Sequence, residues 1–159
     1  MAGIAAELRA RIEDFLAEVA RAIDDDALEE WPGFFTTEAT YRIISRDGHD
    51  AGEPIGILSC EGRGMMQDRV LALRTANIFE PHRLCHLLAR PQLARAPDGT
   101  IAARSNFALY RTQQSAGTEL FAAGKYLDRI VEQDGALRLA GREVVVESRQ
   151  VDILIVLPI

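Results

Sequence analysis

Few side chains in this sequence could bind a metal or move a proton. The histidines are His49, His82 and His86, and the cysteines are Cys60 and Cys85. Glu80, His82 and His86 have the composition of a two-histidine, one-carboxylate iron site. Their spacing opposes it. On one strand His82 and His86 stand ~13 Å apart at ~3.3 Å per residue, the limit of what two imidazoles with ~2.1 Å metal bonds can span. Pro81 also interrupts the segment. These groups read as polar residues at the start of a strand. No Gly-x-Ser-x-Gly elbow is present, and neither cysteine has the sequence context of a catalytic thiol. Gly62-Arg63-Gly64 could cradle an anion at a helix start, although a plain helix-entry turn is the simpler explanation. There is no P-loop and no GxGxxG, and Met65-Met66 reads as core packing.

The elements that must position these residues are set by periodicity. Ile4, Leu8, Ile12, Phe15, Leu16, Val19 and Ile23 recur at helical spacing. That helix stops in Asp24-Asp25-Asp26. Asp26 with Glu29 resembles a capping box, which predicts a short second helix from Ala27. Trp31-Pro32-Gly33 ends it, and Phe34 and Phe35 anchor the core. Tyr41–Arg46 reads as a strand, Asp47-Gly48 as a turn, and Ile55–Cys60 as a second strand. Met66, Val70, Leu73 and Asn77 stripe a third helix over 63–77. The remainder is β: a strand over 83–96 interrupted at Pro91, then 100–113, 118–133, 136–148 and an aliphatic tail over 151–159. Pro97-Asp98-Gly99 and Asp134-Gly135 make the turns, and Gly124 and Gly141 are candidate bend or bulge positions. Helices and then a long antiparallel meander define an α+β fold, a strongly bent sheet wrapped around the N-terminal helix.

The chain has 159 residues, the size of one domain, and buries roughly 70% of its unfolded surface without staples. A net charge of −6 argues against a nucleic-acid surface. Lys125 is the only lysine among 18 basic residues, so arginine dominates any ion-pair network. Two cysteines without CxxC suit a reducing cytoplasm, and no apolar run approaches the ~20 residues of a membrane span.

Several blocks, in order, carry a family resemblance. They are Trp31-Pro32-Gly33-Phe34-Phe35-Thr36 with Tyr41-Arg42-Ile43, then Met66-Gln67-Asp68-Arg69-Val70 with Leu73-Arg74, Ala76-Asn77-Ile78 and Glu80-Pro81-His82-Arg83. Ser105-Asn106-Phe107, Arg111-Thr112, Leu120 to Asp128, Leu137-Arg138-Leu139 with Arg142, and Leu157-Pro158-Ile159 continue the series. From about Ala17 onward the chain resembles the small (β) subunit of Rieske-type aromatic-ring-hydroxylating dioxygenases. The resemblance implies a single NTF2-like cone over 1–159, with no catalytic residue, metal or cofactor in this chain. It implies a larger α subunit carrying a Rieske [2Fe–2S] cluster and a mononuclear Fe(II). It also implies an α3β3 assembly in aromatic compound catabolism. This chain lacks the Cys-x-His and Cys-x-x-His pairs of a Rieske centre. The Trp-Pro-x-Phe-Phe segment and the closing Leu-Pro-Ile are most similar to systems acting on carboxylated aromatics such as terephthalate or salicylate. The rival on the same fold is a stand-alone isomerase or dehydratase, or a small-molecule-binding module. Glu38-Ala39-Thr40-Tyr41 resembles the run before a ketosteroid isomerase's catalytic aspartate, whose place falls at Ile43, which cannot shuttle a proton.

Two sets of interface residues are expected. Arg69, Arg74, Glu80 and Arg83 are candidates for inter-subunit or structural ion pairs. Val144-Val145-Val146 and the run 153–157 are continuous apolar stretches, so both faces of those strands must be covered. Val145 and Ile155 are the candidate residues of a trimer face.

Overall fold

The computed structural model describes residues 3–76, 82–147 and 158–159. Glu80, Asn77 and Ile155 lie outside them.

Helix α1 (Ala6–Asp24) buries Ile12, Leu16, Val19 and Ile23, the stripe its spacing demands. Its end differs from the expected capping box. Asp26 takes a left-handed φ of 57°, with its N–H on the Ile23 carbonyl (3.1 Å) and the Ala27 N–H on the Ala22 carbonyl (2.8 Å). Those two bonds form a Schellman stop. Asp26 therefore closes the first helix instead of opening a second. The chain then makes one 3₁₀ turn, Trp31–Phe34. Trp31, Phe35 and Tyr41 meet edge to face, with centroids 5.0–6.1 Å apart, and fix the entry to the sheet.

Strand β1 (Phe35–Ser45) leads into α2 (Arg46–Asp50), where a turn was expected. The Gly48 N–H donates to Ser45 Oγ at 3.1 Å, which caps this single helical turn. Then come β2 (Leu58–Glu61) and α3 (Arg63–Ala76), which buries Met66, Val70 and Leu73. The described strands that follow are β3 (His82–Leu88), β4 (Gln92–Arg95), β5 (Ile101–Gln113), β6 (Gly117–Gln133) and β7 (Ala136–Val146). β3 and β4 both pair with β5, the expected long strand broken at Pro91.

The sheet runs β2-β1-β7-β6-β5-β3. It is mixed rather than fully antiparallel, because β1 and β7 pair in parallel. Along β5, Ile101, Ala103, Ser105, Phe107 and Leu109 are buried and their neighbours turn outward. The bends come from extra residues at Phe121 in β6 and Ala140 in β7, where the register slips. Gly141 adjoins the second slip. Gly124 has a different reason: a Cβ there would sit 2.0 Å from the Val145 carbonyl oxygen.

The apolar run in β7 is covered from within the chain. Val144 and Val146 belong to the main core under the helices. Val145 points to the other side together with its register partner Ile44, and both are buried. There α2 turns across Ile44, packing Gly48 against it. Val145 has 0% exposure in the single chain, so it has no surface left for a trimer face. Asp47-Gly48 belongs to a five-residue helix instead of a bare turn, and that helix packs on Ile44, the register partner of Val145.

Candidate functional site

The concave face of the sheet gathers most of the buried polar groups. Register places Cys60, Tyr41, Arg142, Asp128 and Ala103 in one row across β2, β1, β7, β6 and β5. Arg142 grips Asp128 with two bonds, Nε–Oδ1 at 2.8 Å and Nη2–Oδ2 at 2.9 Å, and neither side chain is more than 3% exposed. The guanidinium also lies 4.0 Å from the centre of the Tyr126 ring, and Tyr126 stacks on Phe107 at 4.4 Å. Burial alone would push the Arg142 pKa down, but the Asp128 charge and hydrogen bonds outweigh it and the net shift is upward. Burial raises the phenols of Tyr41 and Tyr126 above their ordinary range, so both stay neutral at physiological pH. Tyr41 Oη donates to the Ile159 carbonyl (2.8 Å) and accepts from the Ile159 N–H (2.9 Å). This row is a satisfied structural network. Asp128 and Arg142 neutralise each other in the buried core, so neither stands as a free acid or base.

A second pair escaped the sequence reading. Asp24, at the end of α1, accepts from His86 twice: Oδ1 from Nδ1 at 2.6 Å and Oδ2 from the backbone N–H at 2.9 Å. β3 is an edge strand, so Asp24 also blocks part of its open side. The two residues are 62 positions apart. No local pattern links a helix-terminal aspartate to a strand histidine, so only the docking of α1 on β3 reveals the contact.

The other expected residues do not converge. His49 lies on α2, with Nδ1 2.5 Å from Glu143 Oε1, and Arg42 binds the other oxygen of Glu143 at 2.5 Å. Cys60 and Cys85 stand on β2 and β3, the two edges of the sheet. Among the described residues, no three His, Cys, Asp or Glu side chains meet as a metal centre requires. A Rieske cluster needs two cysteines and two histidines at one point, so the residues present do not fit it. Arg63 is engaged too: its Nε and Nη2 donate to the Phe35 carbonyl, and the Gly62 N–H donates to the Ala39 carbonyl (2.7 Å). The Gly-Arg-Gly segment thus ties α3 to β1 instead of holding an anion.

The ion-pair candidates are also dispersed. Arg74 is bound within its own chain: Nε and Nη2 reach Glu29 at 2.7 and 2.9 Å, and Nη1 reaches Asp26 Oδ1 at 2.8 Å. Arg69 is half-buried on α3, and its charge acts on Tyr41 and Cys60. Arg83 is exposed on β3. On the opposite, convex face, a groove of about 460 Å³ runs past Thr40, Arg42, Ser59, Glu61, Arg129 and Glu143. Its central charges, Arg42 and Glu143, already bind each other.

This arrangement, a bent sheet around two helices with an inward-facing but saturated polar row, has relatives. A terephthalate 1,2-dioxygenase terminal oxygenase subunit beta 2 from Comamonas is 40% identical over 94% of this chain and 97% of that protein. The small subunit of anthranilate 1,2-dioxygenase from Burkholderia cepacia is 35% identical over 86% and 85%. A crystal structure from Novosphingobium aromaticivorans, named as the beta subunit of an aromatic-ring-hydroxylating dioxygenase, superposes with a TM-score of 0.84 at 32% identity. It covers 92% of this chain and 93% of that one. The family model described as "Ring hydroxylating beta subunit" matches residues 18–152. With most of its length matched by sequence and by shape, the chain belongs to the ring-hydroxylating beta subunit family.

Proposed function

We propose that this chain is the non-catalytic, structural subunit of a multicomponent aromatic-ring-hydroxylating dioxygenase. Its partner is a larger α subunit that carries the Rieske [2Fe–2S] cluster and the mononuclear Fe(II). The observation that supports this most directly is the 40% identity, over nearly the whole chain, to a subunit of a terminal oxygenase component. The partner holds the iron chemistry, and this chain supplies a rigid folded body against which it assembles. The substrate is a carboxylated aromatic ring, as in the terephthalate and anthranilate systems named among the relatives. The assembly works in the cytoplasm as α3β3. Copies of this chain would meet through exposed apolar residues such as Leu87 and Leu120. Among the described residues no helix is long and apolar enough to cross a membrane, in keeping with that location.

Co-expression with a Rieske-type α subunit tests the reading. The two chains should co-purify in equal amounts, and dioxygenation should require both. Ring hydroxylation by this chain alone, or an α subunit fully assembled and active without it, would overturn the proposal.

A further inference from the structure

Two neighbouring cations on the outer face of the sheet stand without a counter-charge. Along β5, Ala103, Ser105 and Phe107 are buried, so Arg104 and Asn106 between them turn outward. Register sets Lys125 of β6 opposite Asn106 and therefore diagonal to Arg104. Diagonal neighbours on one face of a sheet lie ~7–8 Å apart. Among the described residues, the side chains of Arg104, Asn106 and Lys125 make no hydrogen bond or ion pair. The arginines around them do: Arg42 binds Glu143, and Arg46 binds Glu147 at 2.8 Å. Acids are not scarce, since the chain has 24 of them to 18 lysines and arginines. The fold nevertheless brings none to Arg104 or Lys125.

The surface around these cations is hollowed. A depression of about 250 Å³ has Arg90, Arg104 and Asn106 in its lining. A second, of about 310 Å³, has Arg46, Arg104, Asn106, Lys125 and Glu147. Arg104 and Asn106 are the wall the two hollows share. Glu147 is already held by Arg46, so each hollow keeps cationic donors to spare. Two carboxylates would fit, one in each. Acidic residues at alternate positions of an extended segment supply them, because residues i and i+2 point the same way roughly 7 Å apart. A small free carboxylate would meet only exposed, screened charges and gain little. A second copy across a two-fold axis would set these cations against themselves, like charge on like. A segment fixed on a larger body brings its carboxylates already placed, and its charge steers it to the face.

We propose that this face docks an acidic, extended segment of the larger subunit. One carboxylate lies between Arg90 and Arg104, and the next accepts from Lys125 and the Asn106 amide. The inference rests on the reading of this chain as an assembling subunit.

Lys125 allows a direct test, because it is the only lysine in the chain. Carbodiimide coupling of the complex with a Rieske-type α subunit should join the Lys125 amine to an aspartate or glutamate of that subunit, read by mass spectrometry. Arg104→Glu combined with Lys125→Glu should weaken association at least about tenfold and flatten its dependence on salt. Arg95→Glu, exposed on β4 and lining neither hollow, should change it by less than about twofold. A complex that forms without coupling at Lys125, or with undiminished affinity in the double variant, would mark a solvated charged face. That result overturns the docking face and leaves the subunit reading intact. Coupling of Lys125 to an acid of a second copy would overturn it in favour of a contact between copies. Failure of the unaltered chain to associate with the α subunit would sink both. The coupling is read on the unaltered complex, so it decides even if the double variant does not fold.

Discussion

At the residue scale, the two arginine pairs differ through burial. Arg74 and Glu29 meet near the surface, where an ion pair contributes at most about 1 kcal/mol. Its signature is in titration. The Arg74 guanidinium holds the Glu29 carboxyl down to about 2, against about 4.3 in an unfolded chain. A depressed carboxyl contributes fully above the unfolded value and loses its contribution as pH falls toward the folded one. Arg74→Ala should raise the Glu29 pKa by NMR titration and cost a small amount of stability at neutral pH, a loss that fades as pH falls toward the folded value. Asp128–Arg142 is the opposite case. Arg142→Leu leaves a buried carboxylate without its partner and should cost about 3–5 kcal/mol by urea unfolding. Combining it with Asp128→Leu should recover most of that loss, because an apolar pair replaces a desolvated ionic one.

At the scale of elements, β7 is the strand that most constrains its neighbours. Its Val145 carbonyl approaches Gly124 so closely that a methyl group would stand 2.0 Å away. Gly124→Ala should therefore push β6 from β7 and lower stability by about 2 kcal/mol, with a shifted chemical denaturation midpoint as the readout. Val145→Asp should act on folding instead of association. Its side chain is fully buried, and an unpaired charge there costs about 3–5 kcal/mol. A well-folded but monomeric Val145→Asp protein would contradict that placement. Helix ends obey the same logic of satisfied backbone. Asp26 accepts a left-handed φ because its bonds close α1 and its side chain reaches Arg74. The Asp134-Gly135 hairpin uses positive φ at both positions, as its sequence predicts.

At the scale of the whole molecule, the sheet encloses a core whose polar groups nearly all answer one another. That is what a non-catalytic beta subunit needs: rigidity. Elemental analysis of the purified chain should find far less than one iron or zinc per molecule after mild chelation, since Cys60 and Cys85 stand at opposite edges of the sheet. Near-stoichiometric metal would mean that residues have been brought together in a way this fold does not place them.

The sequence by itself determined the helix α1, the turns at Gly99 and Gly135, the alternation along β5 and the order of helices before strands. Each rests on contacts within a few residues, where side-chain type and period decide. Ordered blocks such as Trp31–Thr36 and Leu120–Asp128 carried the family resemblance for the same reason, as chemistry written along the chain. Only the tertiary structure decided that Asp26 ends a helix, that α2 packs on Ile44, the register partner of Val145, and that β1 joins β7 in parallel. It alone paired Arg142 with Asp128 and His86 with Asp24. Those outcomes depend on which distant strand or helix end arrives beside a residue. That is set by the closure of the bent sheet, and no local periodicity records it.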